Sequence, residues 1–265
     1  MIWDPVLDSR PRLHGGKLSG NDRKDFIKAV ILAAGFGTRM GDLTKDTPKP
    51  LLKYQGKTLL EHNLEAMPNA IDEVIIVVGY LGEQIRATVG DSFNGKKIVY
   101  VEQRELNGTA GAMNQCKDLI EQYSKSGDES EQKKRDRFLV IMGDDIYKKE
   151  DLENLRDSEG PLAVLVYEVK DDDLMGQRHA LIRTDREGSA VEILERQPAT
   201  KGTLVNTGAY KLTPDYFRYQ MLKAGNETEE FGLPQTFLQM VKDGAKFTPV
   251  KATYWKKVST PEDLK

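Results

Sequence analysis

The stretch AVILAAGFGTRMGDLTKDTPKPLL, from Ala29 to Leu52, decides the fold. It opens with an apolar run, Val30 to Ala33, and continues into three glycines, Gly35, Gly37 and Gly41. β-Forming residues followed by glycines predict a buried strand that turns sharply at its C-terminal end and leaves backbone N–H groups free to face an anion. Such a turn is suited to phosphate groups.

Two cations within the same stretch fit a phosphate site. Arg39 offers a guanidinium fork and Lys49 a compact ammonium, and Pro48 and Pro50 restrict the backbone on both sides of the lysine. A dinucleotide-binding fingerprint would need its third glycine where Met40 stands, and the Gly-Lys-Ser/Thr of a Walker loop is absent. The stretch therefore predicts a phosphate-binding turn of another kind.

Composition excludes several classes of protein. The 265 residues carry 39 basic and 42 acidic side chains, so no global field favours nucleic acid or a membrane surface. One cysteine, Cys116, cannot form an internal disulfide, which is typical of a reducing compartment and predicts a cytoplasmic protein. No apolar run approaches the length of a membrane span, and residues 1–26 are interpreted as a flexible leader.

The pattern of apolar residues changes along the chain. In the first part, strand-like runs alternate with segments of helical spacing, which predicts a mainly parallel sheet covered by helices. These runs are Val30–Ala33, Val74–Val78, Ile98–Glu102 and Phe138–Met142. We therefore predict a Rossmann-like α/β fold, with a mainly parallel mixed sheet flanked by helices, and one domain over residues 27–265.

The second part of the chain is richer in strands. Four strands are predicted in succession, at residues 163–169, 180–183, 191–194 and 205–212. Helices are predicted over Pro214–Ala224 and Glu230–Asp243, and a late strand over Phe247–Ala252. The polar interval Ser124–Arg137 is interpreted as an exposed loop. We assign residues 27–160 to a nucleotide lobe and residues 161–265 to a β-rich substrate lobe.

The strings LAAGFGTRM and PKPLL resemble the signature of the sugar-1-phosphate nucleotidyltransferases, and the resemblance extends with gaps from about Lys28 to the end. It implies a reaction between an NTP and a sugar 1-phosphate that releases pyrophosphate. It also implies that Arg39 and Lys49 bind the triphosphate and are catalytic. The implied nucleotide-binding residues are Leu32, Ala34, Gly35, Gly37, Thr38, Gln103, Gly108 and Thr109.

The string FLVIMGDD, Phe138 to Asp145, is an apolar strand that ends in two carboxylates. The resemblance implies that the first of them, Asp144, binds Mg²⁺, while Asp145 is interpreted as a turn residue. Magnesium keeps several waters and uses one or two carboxylates together with substrate phosphates, so a sparse protein contribution is expected.

Three later segments resemble the family's sugar-phosphate site. Family members have Tyr-Gly where this chain has His179 and Ala180, and Glu-Lys-Pro where it has Glu195 and Arg196 with an extra residue, Gln197. The resemblance also implies a role for the string VNTGAY, residues 205–210. The implied sugar-phosphate residues are Ala180, Glu195, Arg196, Asn206, Thr207 and Gly208.

The C-terminal string YWKKVSTPEDLK departs from the family pattern. The resemblance puts Lys257 at the position of a second magnesium-binding aspartate, so we expect weak metal binding without nucleotide. Thr260, Pro261 and Asp263 read as the N-cap, first residue and capping-box acid of a helical turn.

The function predicted from the sequence is transfer of a nucleotidyl group from an NTP to a sugar 1-phosphate, with Mg²⁺ as cofactor. Gln103 and Gly108 suit a uridine or thymidine nucleotide, and guanosine is the main competitor. Two alternatives stay open: a cytidylyltransferase for phosphocholine or another phospho-alcohol, and a catalytically silent nucleotide-sugar-binding regulatory protein. No nucleic acid or membrane partner is expected, and the sequence leaves the sugar and homo-oligomer formation undetermined.

Overall fold

The computed structural model describes residues 28–124, 137–170, 174–225 and 228–265. The leader predicted over residues 1–26 lies outside the described residues, and so does almost all of the loop predicted over Ser124–Arg137. None of the described helices has both the length and the apolar character needed to cross a bilayer.

The first half of the described chain alternates strands with helices. The strands are β1 (Lys28–Leu32), β2 (Lys53–Tyr54), β3 (Lys57–Thr58), β4 (Glu73–Val78), β5 (Ser92–Phe93), β6 (Lys96–Glu102), β7 (Phe138–Met142) and β8 (Ile146–Tyr147). The helices are α1 (Leu59–Ala66), α2 (Gly82–Val89), α3 (Thr109–Asn114), α4 (Lys117–Ser124) and α5 (Lys149–Asp157). Short 3₁₀ turns cover Thr38–Thr44 and Lys49–Leu51.

The second half is dominated by strands. They are β9 (Leu162–Glu168), β10 (Arg178–Thr184), β11 (Ala190–Pro198), β12 (Leu204–Leu212), β13 (Phe247–Lys251) and β14 (Trp255–Lys256). One helix, α6 (Leu233–Lys242), and 3₁₀ turns at Pro214–Arg218 and Pro261–Leu264 complete the described part.

One sheet runs through both halves, in the strand order β10-β11-β13-β9-β12-β7-β1-β4-β6-β5. The segment β7-β1-β4-β6 is parallel, and β12 joins it antiparallel to β7. The chain thus has the predicted α/β fold. The carboxyl ends of the parallel strands lie at one edge, where open α/β sheets hold their ligands.

The central strand β1 is buried on both faces, which explains its unbroken apolar run. Ala29 and Ile31 pack with Leu60 of α1 on one face. Val30 packs with Met113 of α3 on the other. Helices on both faces of this strand hold its C-terminal end, and hence the glycine-rich turn, at a fixed place.

The predicted strands are confirmed, whereas two helix predictions need correction. The helix predicted over Pro214–Ala224 is wrong beyond a 3₁₀ turn that ends at Arg218, because Lys223 pairs with Phe231 in an antiparallel bridge instead. The helix predicted from Glu230 begins only at Leu233. The backbone of Phe231 bonds to the loop before α3, and Pro in the first turn marks the later helix start.

Candidate active site

The turn after β1 packs against the stem of Lys49. Gly37 adopts φ +67°, and a Cβ built on it would lie 2.9 Å from the Cβ of Lys49. The hydroxyl of Thr44 donates to the Gly37 carbonyl oxygen at 3.1 Å and closes the turn. Glycine is needed here for its conformation and for its missing side chain, because both let the lysine stem approach.

Lys49 joins three distant parts of the chain. Its side chain is buried, and its Nζ donates to Asp144 Oδ2 at 2.5 Å and to the Val258 carbonyl oxygen at 2.5 Å. Pro48, with ψ 141°, extends the backbone immediately before the 3₁₀ turn that Lys49 opens. The ammonium is therefore fixed between the carboxyl end of β7 and the C-terminal segment.

The two carboxylates after β7 have different surroundings. Asp144 pairs with Lys49, whereas Asp145 accepts hydrogen bonds from the Val258 N–H at 3.0 Å and the Trp255 indole N–H at 3.2 Å. Burial and the neighbouring Asp144 charge raise the pKa of Asp145 to about 7. Asp145 therefore anchors the C-terminal segment beside the glycine-rich turn, and Asp144 keeps one carboxylate oxygen available.

A cavity of about 370 Å³ lies over the glycine-rich turn, and we call it the nucleotide cavity. It brings together all of the predicted nucleotide, catalytic and metal residues. These lining residues are Leu32, Ala34, Gly35, Gly37, Thr38, Arg39, Lys49, Gln103, Gly108, Thr109 and Asp144. A Cβ on Gly35 would meet no atom within 4 Å, so this glycine keeps space open in the cavity rather than in the protein core.

The far end of the nucleotide cavity is formed by Gln103 and Gly108. Gln103 is buried, and its side-chain N–H donates to the Gly108 carbonyl oxygen at 3.0 Å. A carbonyl oxygen can only accept hydrogen bonds, so the part of the Gln103 side chain that meets it is the NH₂ group. The amide oxygen of Gln103 is not used in this contact and remains available as an acceptor. Gly108 has φ +98°, and a Cβ on it would lie 2.5 Å from the Phe231 carbonyl oxygen, so only glycine fits.

A second cavity, of about 320 Å³, adjoins the first, and we call it the acceptor cavity. Arg39 and Met142 line both cavities. The acceptor cavity brings together all of the predicted sugar-phosphate residues. They are Ala180, Glu195, Arg196, Asn206, Thr207 and Gly208.

A β-bulge explains how two consecutive residues of β11 line the acceptor cavity. His179 of β10 pairs with Gln197, and Leu181 pairs with Leu194, so Glu195 and Arg196 together oppose one residue. Consecutive side chains of a regular strand point to opposite faces, and the extra residue in a bulge relaxes that rule. Arg196 takes φ +54° to form the bulge. The apparent insertion of Gln197 in the sequence corresponds to this feature.

A second irregularity, in β12, presents the string from Asn206 to Gly208. The pairing with β9 shifts between Asn206 and Tyr210. The Thr207 hydroxyl donates to the Leu165 carbonyl oxygen at 2.8 Å, and the Tyr147 hydroxyl donates to the Thr207 carbonyl oxygen at 2.8 Å. Gly208, with φ +78°, completes the bend. The polar groups of this strand are thus held in place by β8 and β9.

Sequence reasoning missed several residues of the site. Arg178 lines the acceptor cavity, and Glu230 and Phe231 line the nucleotide cavity. Asp151 in α5 is fully buried and accepts hydrogen bonds from the backbone N–H groups of Thr253 and Tyr254, which orders the start of the C-terminal segment. A buried acid in the first turn of an otherwise charged helix carries no distinctive sequence signal, whereas Arg178 could have been found from its place beside His179.

The C-terminal segment lies where the two cavities meet. β14 pairs antiparallel with β8, which follows Asp145, and Lys257 then lines the acceptor cavity. The predicted capping box between Thr260 and Asp263 is present. Lys257 therefore brings a positive charge to the same end of the sheet as Asp144.

The described residues are better suited to a Mg²⁺ ion that is bound together with a nucleotide than to one held by protein side chains alone. Among them, no group of three or more His, Cys, Asp or Glu side chains is arranged to hold a metal ion. Asp145 already accepts two hydrogen bonds, so Asp144 is the carboxylate with an oxygen to offer. One carboxylate plus substrate phosphates is within the range that magnesium uses.

Comparison with known proteins identifies a family whose sequence model matches this chain, together with similar curated proteins. The sequence model of the nucleotidyl transferase family matches residues 28–265. The chain is 28% identical over 242 residues to the UTP–glucose-1-phosphate uridylyltransferase AglF of Haloferax volcanii, covering 89% of this chain and 93% of that protein. It is 28% identical over 238 residues to the D-glycero-alpha-D-manno-heptose 1-phosphate guanylyltransferase of Campylobacter jejuni, covering 89% and 96%.

Other relatives are longer than this chain. The bifunctional protein GlmU of Methanocaldococcus jannaschii is 31% identical over 239 residues, which are 90% of this chain and 52% of that protein. The chain thus spans about half the length of several curated relatives that it matches. A solved structure of a putative glucose-1-phosphate thymidylyltransferase from Bacillus anthracis shares the fold, with a TM-score of 0.72, 23% identity and coverage of 90% and 92%.

Proposed function

The chain belongs to the nucleotidyl transferase family, and from that premise we propose that it transfers a nucleotidyl group from an NTP to a sugar 1-phosphate. The products are an NDP-sugar and pyrophosphate. One observation carries the proposal: a cavity with two cations above a glycine-rich turn adjoins a polar cavity, and Arg39 lines both. The relatives named as uridylyltransferase and guanylyltransferase of sugar 1-phosphates support it.

The division of labour along the chain is part of the same proposal. Residues 27–160 bind the nucleotide, with Arg39 and Lys49 at the triphosphate. Residues 161–265 bind the sugar phosphate through the two irregular strands β11 and β12. The shared sheet keeps the two substrates in a fixed relation, and such positioning is worth several kcal/mol of the barrier in bimolecular reactions.

The chemistry requires little from the protein beyond positioning and charge. A sugar 1-phosphate is largely a dianion at pH 7, because the second pKa of a phosphate monoester is about 6. One of its oxygens attacks the α-phosphorus, a new P–O bond forms, and the bond between the α-phosphorus and the bridging oxygen breaks. The electron pair leaves with pyrophosphate. Arg39 and Lys49 offset the charge that develops, and neither a general base nor a covalent intermediate is needed.

Magnesium is the proposed cofactor, and Asp144 is the residue that would hold it. When bound, the ion would neutralise charge on the phosphate oxygens. Lys49 fixes the orientation of the Asp144 carboxylate through its hydrogen bond to Oδ2. Asp144 would therefore hold the metal with a carboxylate whose other oxygen is already fixed by an ammonium group.

The nucleobase is recognised at the end of the cavity formed by Gln103 and Gly108. The available Gln103 amide oxygen accepts a hydrogen bond from a base N–H, which suits the N3–H of uracil or thymine. Guanine, with its N1–H, is the main competitor. We propose a uridine or thymidine nucleotide first and guanosine second. Because the reaction consumes an NTP and the chain has one cysteine, we also propose that it operates in the cytoplasm.

A pyrophosphate-release assay tests the proposal. Purified protein is incubated with Mg²⁺, each common NTP, and a panel that includes hexose 1-phosphates, heptose 1-phosphates and phosphocholine. We expect release that requires both an NTP and a sugar 1-phosphate. Release with CTP and phosphocholine alone would support a phospho-alcohol cytidylyltransferase. Nucleotide-sugar binding without any release would support a silent regulatory protein.

A further inference from the structure

The acceptor cavity contains positively charged side chains to which the proposed function assigns no role. Arg39, Arg178, Arg196 and Lys257 line it, against the carboxylates of Asp145 and Glu195. Within the part of the chain that the structure describes, none of these four cations has a carboxylate within ion-pairing distance. The four cations outnumber the two carboxylates, so the lining has an excess of positive charge that an anionic ligand in this cavity would offset.

Of these four cations, Lys257 is the least exposed to solvent. It is partly buried, whereas the three arginines are exposed. Its Nζ lies 3.4 Å from His179 Nδ1. Burial lowers the pKa of Lys257, and the Arg39 and Lys49 charges act in the same direction, although the Asp145 and Asp263 carboxylates oppose them. A partly buried ammonium that makes no ion pair with a described carboxylate is costly, which points to a ligand anion as its partner.

His179 fixes the place of this ammonium. It is 4% exposed, and burial together with the Lys257 charge lowers its pKa to about 4, so the imidazole is neutral near pH 7. An ammonium has only donors, so Nδ1 accepts and the ring proton is on Nε2. The ring packs edge-on against Trp255, with centroids 6.2 Å apart, and the Trp255 indole donates to Asp145.

We propose that Lys257, held in place by His179, binds the phosphate group of the acceptor. Arg178 and Arg196 complete the anion site, with planar guanidinium forks that match phosphate oxygens. The assignment to the acceptor follows from the lining, because Lys257 faces the same cavity as Asn206 and Thr207 and does not line the nucleotide cavity. The inference rests on the proposed function for the identity of the acceptor.

Equilibrium binding without turnover tests this inference. Protein in buffer with EDTA is titrated calorimetrically with glucose 1-phosphate, mannose 1-phosphate and inorganic phosphate, with free glucose as the uncharged control. We expect at least one of the three anions to saturate the wild-type protein in the millimolar range or below. Lys257→Met should weaken that binding about tenfold, as expected for loss of one charged hydrogen bond.

Lys256→Met is the matched control. The neighbouring lysine lies over the Tyr54 ring, with its Nζ 4.7 Å from the centroid, and does not line the acceptor cavity. This variant should bind the anion within about twofold of wild type. Arg178→Met, at an exposed position that cannot disturb the core, should weaken binding as Lys257→Met does.

The role of His179 is tested by two variants. His179→Leu removes the acceptor for the ammonium and should weaken anion binding, whereas His179→Asn retains an acceptor and should restore most of it. Wild-type affinity in Lys257→Met and Arg178→Met, or no saturation of wild type by any of the three anions, would overturn the inference. Because no step of the test requires turnover, a negative pyrophosphate assay and a negative binding result are separate findings.

Discussion

Lys49 and Asp144 are 95 residues apart in the chain, and their charged groups meet at 2.5 Å at the carboxyl end of the sheet. The contact joins the glycine-rich turn to the strand that supplies the metal-binding carboxylate in the proposed function. Lys49 also donates to the Val258 carbonyl oxygen. One ammonium thus sets the spacing between the glycine-rich turn, the proposed metal ligand and the C-terminal segment.

Arg39→Ala is expected to lower kcat by about 10²–10³, because it removes a cation from the boundary between the two cavities. The side chain is exposed, so the melting temperature should not change. Arg218→Ala is the control, since Arg218 is exposed and pairs with Asp215 away from both cavities. Lys49→Ala should lose at least as much activity. Near-normal pyrophosphate release by Arg39→Ala would show that this arginine does not act on the phosphates.

Asp145 gives the stability a predictable pH dependence. Its pKa is raised to about 7 by burial and by Asp144, so the native state holds a proton that the unfolded chain loses above about pH 4. Its contribution is therefore fully present below pH 4 and is lost as the pH rises to about 7, with a slope of at most about 1.4 kcal/mol per pH unit. Urea denaturation of wild type and Asp145→Asn should show a stability difference that falls between pH 4.5 and 7.5. A difference that rises with pH would mean that the pKa is lowered instead.

Asp151→Ala is expected to cost about 3 kcal/mol of unfolding free energy, because the backbone N–H groups of Thr253 and Tyr254 would lose their acceptor. Glu150→Ala, at the exposed preceding position of the same helix, should change stability by less than about 0.5 kcal/mol. Chemical denaturation measures both. Equal stability of the two variants would show that the buried carboxylate does not hold the C-terminal segment.

Lys257→Asp should strengthen metal binding, because it replaces an ammonium close to Asp145, the neighbour of Asp144 in the chain, with a second carboxylate. We expect the variant to need less Mg²⁺ for half-maximal activity. It should also bind Mn²⁺ more tightly than wild type in the absence of nucleotide, measured by electron paramagnetic resonance. Identical Mn²⁺ affinity in the two proteins would show that Lys257 lies too far from the metal position to influence it.

The strands were predictable because their signal is local. An apolar run such as Phe138–Met142 is buried on both faces, and the predicted and observed bounds agree. The Thr260–Asp263 capping box is also a local pattern. The helix predicted over Pro214–Ala224 failed because its apolar spacing does not reveal the competing backbone pairing of Lys223 with Phe231.

The residues that shape the site depend on contacts between distant segments. Asp151 accepts a hydrogen bond from Thr253, which lies 102 residues later in the chain, and neither local sequence predicts this contact. The bulge at Glu195 and Arg196 was visible only as a misfit to the family pattern, because a bulge is defined by the partner strand. The sequence therefore predicted which residues gather at the site, while their mutual geometry required the fold.

The central claim is that an oxygen of the acceptor's phosphate attacks the α-phosphorus of the nucleotide. The most direct measurement uses a sugar 1-phosphate, chosen from the pyrophosphate assay, with ¹⁸O in its three terminal phosphate oxygens. Mass spectrometry of the products should find all three labels in the NDP-sugar and none in pyrophosphate. Failure to form NDP-sugar, loss of a label from it, or label in pyrophosphate would contradict the account.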